Sequence, residues 1–152
     1  MIALSRRDML RAGGAIVVSF SLVRQTRGHG QNLPGDLKDA PFLDSWLRIG
    51  SDGRVTVFTG KAELGQGIKT AIIQVAAEEL DLLPDRIAIV TADTAQTPDE
   101  GFTAGSHSMQ GSATAVMNAA AQARALLIAE AARQWNLRPA SLSARDGVVA
   151  AP

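Results

Sequence analysis

At 152 residues the chain has the length of one domain, and 46% apolar against 20% charged residues exclude a disordered protein. With no cysteine it holds no disulfide, no thiolate metal site and no cysteine-ligated iron–sulfur cluster. The zero net charge hides a basic start, with Arg6, Arg7, Arg11, Arg24 and Arg27 against Asp8, but the remainder has no basic stripe, which argues against nucleic acid as a partner.

The first thirty residues read as an address. Basic residues precede a weakly apolar run from Ala12 to Val23, broken by Gly13 and Gly14. That run is shorter than the roughly 20 residues a membrane-spanning helix needs. "SRRDMLR" resembles the twin-arginine export signal, with Met9 and Arg11 where Phe and Lys are commoner. A chance arginine pair on an amphipathic helix is the alternative. The export reading implies passage of an already folded protein through the twin-arginine machinery to the periplasm. No Ala-x-Ala site follows, so removal of the signal and its retention as a membrane anchor both stay open.

Residues 31–45 read as a polar linker carrying Pro34, Gly35 and Pro41, which puts the domain at 46–152. "WLRIGSDGRVTVFTG" predicts a β-hairpin about Ser51-Asp52-Gly53. A glycine corner follows, "ELGQG" at 63–67, and then Ile68, Ile72, Val75, Ala76 and Leu80 recur at helical spacing over 68–81, with Pro84 as the stop. "RIAIVTA" predicts a buried strand, and 93–112 a long polar loop. Helical patterning returns from about Met109 to Trp135, rich in alanine that permits close packing. "LSARDGVVAAP" opens a second hairpin at Asp146-Gly147 and the sequence stops there, which predicts the N-terminal part of something longer. The fold class expected is mixed α/β (α+β), short strands and a hairpin packed with two main helices.

Two segments could carry chemistry, each between a strand-like run and a helix start. Helix N-termini leave backbone N–H groups unpartnered at the positive end of the dipole. Gly65 and Gly67 allow close approach to the main chain, and the Gln66 amide between them both donates and accepts. Thr103, Ala104, Gly105, Ser106, His107 and Ser108 add backbone amides and hydroxyls, a cradle for a phosphate or a pterin. On spacing alone a plain glycine turn is the simpler reading of 65–67. A polar cap from Ser106 or Ser108 serves equally for 103–108. "GQGIKT" lacks the third glycine of the dinucleotide fingerprint. His107 reads as a surface or capping residue, Glu78 and Glu79 as a solvated helix face, and Asp99 and Glu100 as turn formers. No catalytic constellation and no metal-ligand set stands out.

The ordered pair of segments, from "GKAELGQGIKTAIIQVAAEELDLLPDRIAIVTADTAQTPDEGFTAGSHS" onward, resembles the molybdopterin-binding subunit of the xanthine dehydrogenase and aldehyde oxidase family of molybdenum hydroxylases. The branch it is most similar to is the isoquinoline 1-oxidoreductase β-subunit type, with Leu64 where Met is frequent. The resemblance implies cofactor contacts from Gly65, Gln66 and Gly67 and from Thr103 to Ser108, and a domain that is part of a larger molybdopterin-binding unit. It implies a molybdenum-bearing molybdopterin, as the cytosine dinucleotide, and no iron–sulfur cluster in this chain. A small [2Fe-2S] subunit and a cytochrome c electron acceptor are the partners it suggests. The implied reaction is oxidation of N-heterocycles or aldehydes with water as oxygen donor. The family's catalytic glutamate belongs to a segment beyond these residues. A non-catalytic remnant or a stand-alone periplasmic binding module is the alternative expectation.

Overall fold

The computed structural model describes residues 3–5 and 33–151. Apart from Ala3–Ser5, the expected export segment lies outside the described residues. Those three residues form strand β1.

Strand β2 (Leu47–Ile49) and strand β3 (Val55–Thr59) form the first hairpin, with Leu47 opposite Val57 and Ile49 opposite Val55. Helix α1 (Ile68–Leu80) then carries the chain to strand β4 (Ile87–Thr91), which lies parallel to β3. The sheet order is β2-β3-β4, so β3 is central and β3-α1-β4 is a crossover unit. Helix α2 (Thr114–Trp135) packs on α1. The final hairpin, β5 (Ser143–Arg145) and β6 (Val148–Ala150), joins β1 in a second small sheet of order β1-β6-β5. Its turn takes φ 47° at Asp146 and φ 76° at Gly147, the paired positive values that a two-residue hairpin favours. The expected mixed α/β class, with two main helices and short strands, is the observed one.

The core explains the patterning. Ile68, Ile72, Ala76 and Leu80 line the inner stripe of α1 and meet Ala115, Val116, Ala119, Ala120 and Ala123 of α2. Alanine at those positions lets the two helix axes approach closely, which bulkier side chains would prevent. Val55 and Val57 cover the sheet side. The segment whose composition suggests a linker contributes to this core: two short 3-10 turns, Gly35–Lys38 and Leu43–Ser45, bury Leu37 and Leu43 beside Trp46. The Trp46 Nε1 donates to the Ala40 carbonyl at 2.8 Å, so its polar edge is satisfied. A satellite cluster of Ala131, Ala144 and Val149 seats the last hairpin on the far end of α2.

Both helices stop through local geometry rather than proline. Asp81 (φ 52°) and Asn136 (φ 53°) turn left-handed, and the next residues, Leu82 and Leu137, donate back to Ala77 and Ala132, both at 2.9 Å. Pro84, expected as the stop of α1, instead opens a short 3-10 turn before β4. Among the described residues no helix is long and apolar enough to cross a membrane.

Candidate functional site

The topology places both irregular segments at one edge of the sheet. Strands β3 and β4 are parallel neighbours, so their C-terminal ends, Thr59 and Thr91, lie side by side. The chain leaving β3 becomes the 60–67 corner, and the chain leaving β4 becomes the 92–108 loop. Crevices beyond the carboxyl ends of parallel strands are where ligands gather in open α/β sheets.

Hydrogen bonds tie the two together. The Ala62 amide donates to Thr103 Oγ1 at 2.8 Å. Lys61, only 3% exposed, extends Nζ to the Glu100 carbonyl at 2.5 Å and the Phe102 carbonyl at 3.4 Å. In return Glu100 Oε2 accepts from the Gly60 amide at 2.5 Å and the Thr59 hydroxyl at 2.8 Å. The Thr59 hydroxyl also lies 2.7 Å from Ser112 Oγ, at the start of α2.

Glu100 is therefore a clamp and not a turn former, while Asp99 does form the turn, its Oδ1 accepting from Gly101 N at 3.0 Å. Burial pushes the Glu100 carboxyl above its ordinary range, partly opposed by the Thr59 hydroxyl and reinforced by a hydrogen bond with Asp36. Glu100 Oε1 is buried with no donor beside it among the described residues.

Within the corner, Glu63 acts as an internal anion. Its carboxylate accepts from Gly65 N at 2.8 Å, Gly67 N at 3.0 Å and Lys69 N at 3.1 Å. The Lys69 and Gly67 amides hold its carboxyl below the usual glutamate range. It thus caps α1, whose N-cap residue Gly67 brings no side chain of its own. Gln66 folds over the same loop, its Nε2 donating to the Ala62 carbonyl at 2.9 Å and its Oε1 accepting from Leu64 N at 2.6 Å. Gly65 (φ 91°) and Gly67 (φ 79°) need their glycine for backbone conformation. A Cβ at either would meet nothing within 4 Å, so open space lies directly against this main chain.

In the second segment Thr103 is half-buried and engaged with Ala62, whereas Ala104, Gly105, Ser106 and His107 are exposed. Gly105 and Ser106 are both left-handed, φ 61° and 62°. The chain then enters α2 through a π-turn at Met109–Ala113, a local widening frequent at functional sites. Ser108 makes no side-chain cap there, so its hydroxyl is not spent on the helix. Leu64 and Phe102, at 72% and 93% exposure, flank the two segments with bare apolar surface. A separate open cleft lies at the other end of α1, lined by Glu78, Glu79, Asp81 and Arg124, away from both segments.

Fold and site define a class: an α/β domain whose two glycine-bearing strand-to-helix corners are bonded into one polar, solvent-facing cradle. The family model described as "Molybdopterin cofactor-binding domain" matches residues 5–152, and the chain belongs to that family of the molybdenum hydroxylases. It is 33% identical over 147 residues to a nicotinate dehydrogenase subunit of Pseudomonas putida, covering 97% of this chain and 12% of that one. It is also 33% identical over 158 residues to the beta subunit of isoquinoline 1-oxidoreductase of Brevundimonas diminuta, covering 97% and 20%. Its fold superposes on the crystal structure of quinoline 2-oxidoreductase from Pseudomonas putida with a TM-score of 0.60 at 24% identity, over 69% of this chain and 13% of that one. The chain thus spans a fifth or less of these relatives.

The cradle fits a pterin cofactor on its own chemistry. Its polar groups are the Ser106 and Ser108 hydroxyls and a Gln66 amide now bonded within the loop, types that match the hydrogen-bonding edges and phosphate of such a group. The Gly65, Gly67 and Lys69 amides are taken by Glu63. The glycines leave the space that the group would fill. The sequence did not reveal the roles of Glu63, Lys61 and Glu100, the last expected as a turn former, as the three side chains that hold this cradle in shape. Glu63 had a readable signal, a carboxylate two and four residues before amides of a glycine corner. Glu100 had none, because its partners are forty residues away.

Proposed function

We propose that this chain supplies one wall of the cofactor site of an exported molybdenum hydroxylase, and that Gly65, Gln66, Gly67 and Thr103 to Ser108 contact the molybdopterin. The observation that carries the reading is the bond from Ala62 to Thr103, which with Lys61 joins two exposed corners into one polar surface. When bound, the group supplies two-electron oxidation of an electron-poor carbon. The residues here bind and orient it. Ser106 and Ser108 stand at the positive end of α2, where a phosphate is stabilised. Gln66 presents an amide that can exchange its bonds to Ala62 and Leu64 for the pterin edge.

The finer identity follows the relatives. Nicotinate, isoquinoline and quinoline in their names point to N-heterocycles as substrate class, with aldehydes as the neighbouring alternative and water as the oxygen donor. We assign the cytosine dinucleotide form of the cofactor, a small [2Fe-2S] subunit and a cytochrome c acceptor as partners, and a periplasmic location reached through the "SRRDMLR" signal. Fluorescence of the oxidised pterin, released from purified protein, tests the reading. Gln66→Ala is expected to lower pterin per chain severalfold while the melting temperature stays within a few degrees. Equal loss of pterin and of thermal stability would reduce Gln66 to a turn residue.

A further inference from the structure

The two corners are joined by a reciprocal pair. Lys61 leaves the β3 side and bonds main-chain carbonyls of 100 and 102. Glu100 leaves the β4 side and takes the Gly60 amide and Thr59 hydroxyl. Each side chain grips the other's segment, so neither segment can shift without breaking bonds in both directions. The glycine at 60 is part of the device: a Cβ there would collide with the Pro98 carbonyl and lie 3.3 Å from the Glu100 amide. The turn at Gly35–Lys38, whose Asp36 carboxyl contributes to the upward shift of Glu100, is seated against Gly111 in the π-turn of α2.

We propose that Lys61 and Glu100 are positioning residues of the cradle: crossing between its two segments, they set the separation of the Gly65–Gly67 corner and the Thr103–Ser108 segment. Lys61 is buried and Glu100 half-buried, and the polar ends of both are bonded to protein atoms of the opposite segment. Its role is to fix a gap. A cofactor gripped from both sides tolerates little change in that gap, because misplacement of supporting groups by about 1 Å is enough to lose binding geometry. The inference rests on the cofactor reading for what fills the gap, and on the bonds alone for what sets it.

The test compares Glu100→Gln, Glu100→Ala and Lys61→Met in the full chain, by hydrogen exchange and by pterin content. Glutamine keeps the acceptor for Thr59 and Gly60 and can donate to Asp36, so it is expected to exchange like the wild type and to keep its pterin. Alanine and Lys61→Met are expected to raise exchange at least tenfold at residues 62–67 and 101–108 together, with the far end of α2 unchanged, and to lower pterin by a similar factor. Thr103→Ala, which removes only the Ala62 acceptor, is a milder probe should either variant fail to fold, and is expected to loosen the same two segments. Exchange rising everywhere at once, or rising in one segment alone, would overturn the positioning role. So would unchanged pterin in Glu100→Ala. Paired loosening in a protein whose wild type carries no pterin would keep the clamp and overturn the cofactor reading.

Discussion

Gly111→Ala separates the packing of this fold from helix propensity, because the two predict opposite signs. In a helix, replacing glycine by alanine stabilises by about 0.5–1 kcal/mol. Gly111 has no positive φ to forbid alanine, so propensity alone predicts a gain. The structure predicts a loss. A methyl at this position would sit 2.7 Å from Asp36 Cγ and 2.7 Å from Oδ1, and nearer still to Oδ2. Overpacking of this kind costs about 1–3 kcal/mol. Set against the propensity gain, the net destabilisation is up to about 2.5 kcal/mol. Urea unfolding measures it as a lower midpoint at unchanged slope. The decisive arm is the double variant. In an Asp36→Ala background the collision is gone, and Gly111→Ala is expected to be neutral or stabilising by up to about 1 kcal/mol. A Gly111→Ala protein as stable as the wild type with Asp36 present would refute the seating of the 35–38 turn on α2.

Three further outcomes follow from the same geometry. Ile72→Ala, at a fully buried position between sheet and α2, is expected to cost about 2–5 kcal/mol by calorimetry or denaturant, and a loss under about 1 kcal/mol would contradict the core described. Glu100, faced by Asp36 from the 35–38 turn and Lys61 from the β3 side, has its carboxyl raised above 4.5, so the stability tied to its proton is complete at lower pH and is lost as pH rises through the raised value. The melting temperature of wild type relative to Glu100→Gln should therefore fall as pH rises above 4.5, and a flat difference would mean that no proton is held there. Glu63 has the opposite sign: its carboxyl is lowered from 4.5, so its cap on α1 is present above that pH and released on acidification, read as faster amide exchange at Gly67 and Lys69, with Glu63→Gln showing the faster exchange already at neutral pH.

The elements defined by local periodicity were legible in the sequence. The stripe Ile68, Ile72, Ala76, Leu80 gave α1, the alternation around Ser51 to Gly53 gave the first hairpin, and Asp146-Gly147 marked the last turn. What stayed hidden was set by tertiary contact. Leu37 stands alone among polar residues and Leu43 follows a short Ala-Pro-Phe run without periodicity, and only the docking of their turns against Trp46 shows them as core. The turn residues around Glu100 mask a carboxyl whose partners, Thr59 and Gly60, become neighbours only because β3 and β4 pair in parallel. For the cradle, glycines and hydroxyls named both segments. The internal occupation of the corner amides by Glu63 had only a local signal, a carboxylate two and four residues before them, and water could have served those amides as well.

Molybdenum and pterin per chain, measured together on protein purified from a host that makes the cofactor, test the central claim most directly. Ala104→Trp fills the exposed cradle without demanding a left-handed backbone, and Leu83→Trp, at an exposed site beyond the other end of α1, is its control. Wild type and Leu83→Trp are expected to carry molybdenum and pterin in equal amounts. Ala104→Trp is expected to lose both at least tenfold with its melting temperature kept. Absence of both from the wild type, or their full retention in Ala104→Trp, would contradict the claim that these two corners hold the cofactor.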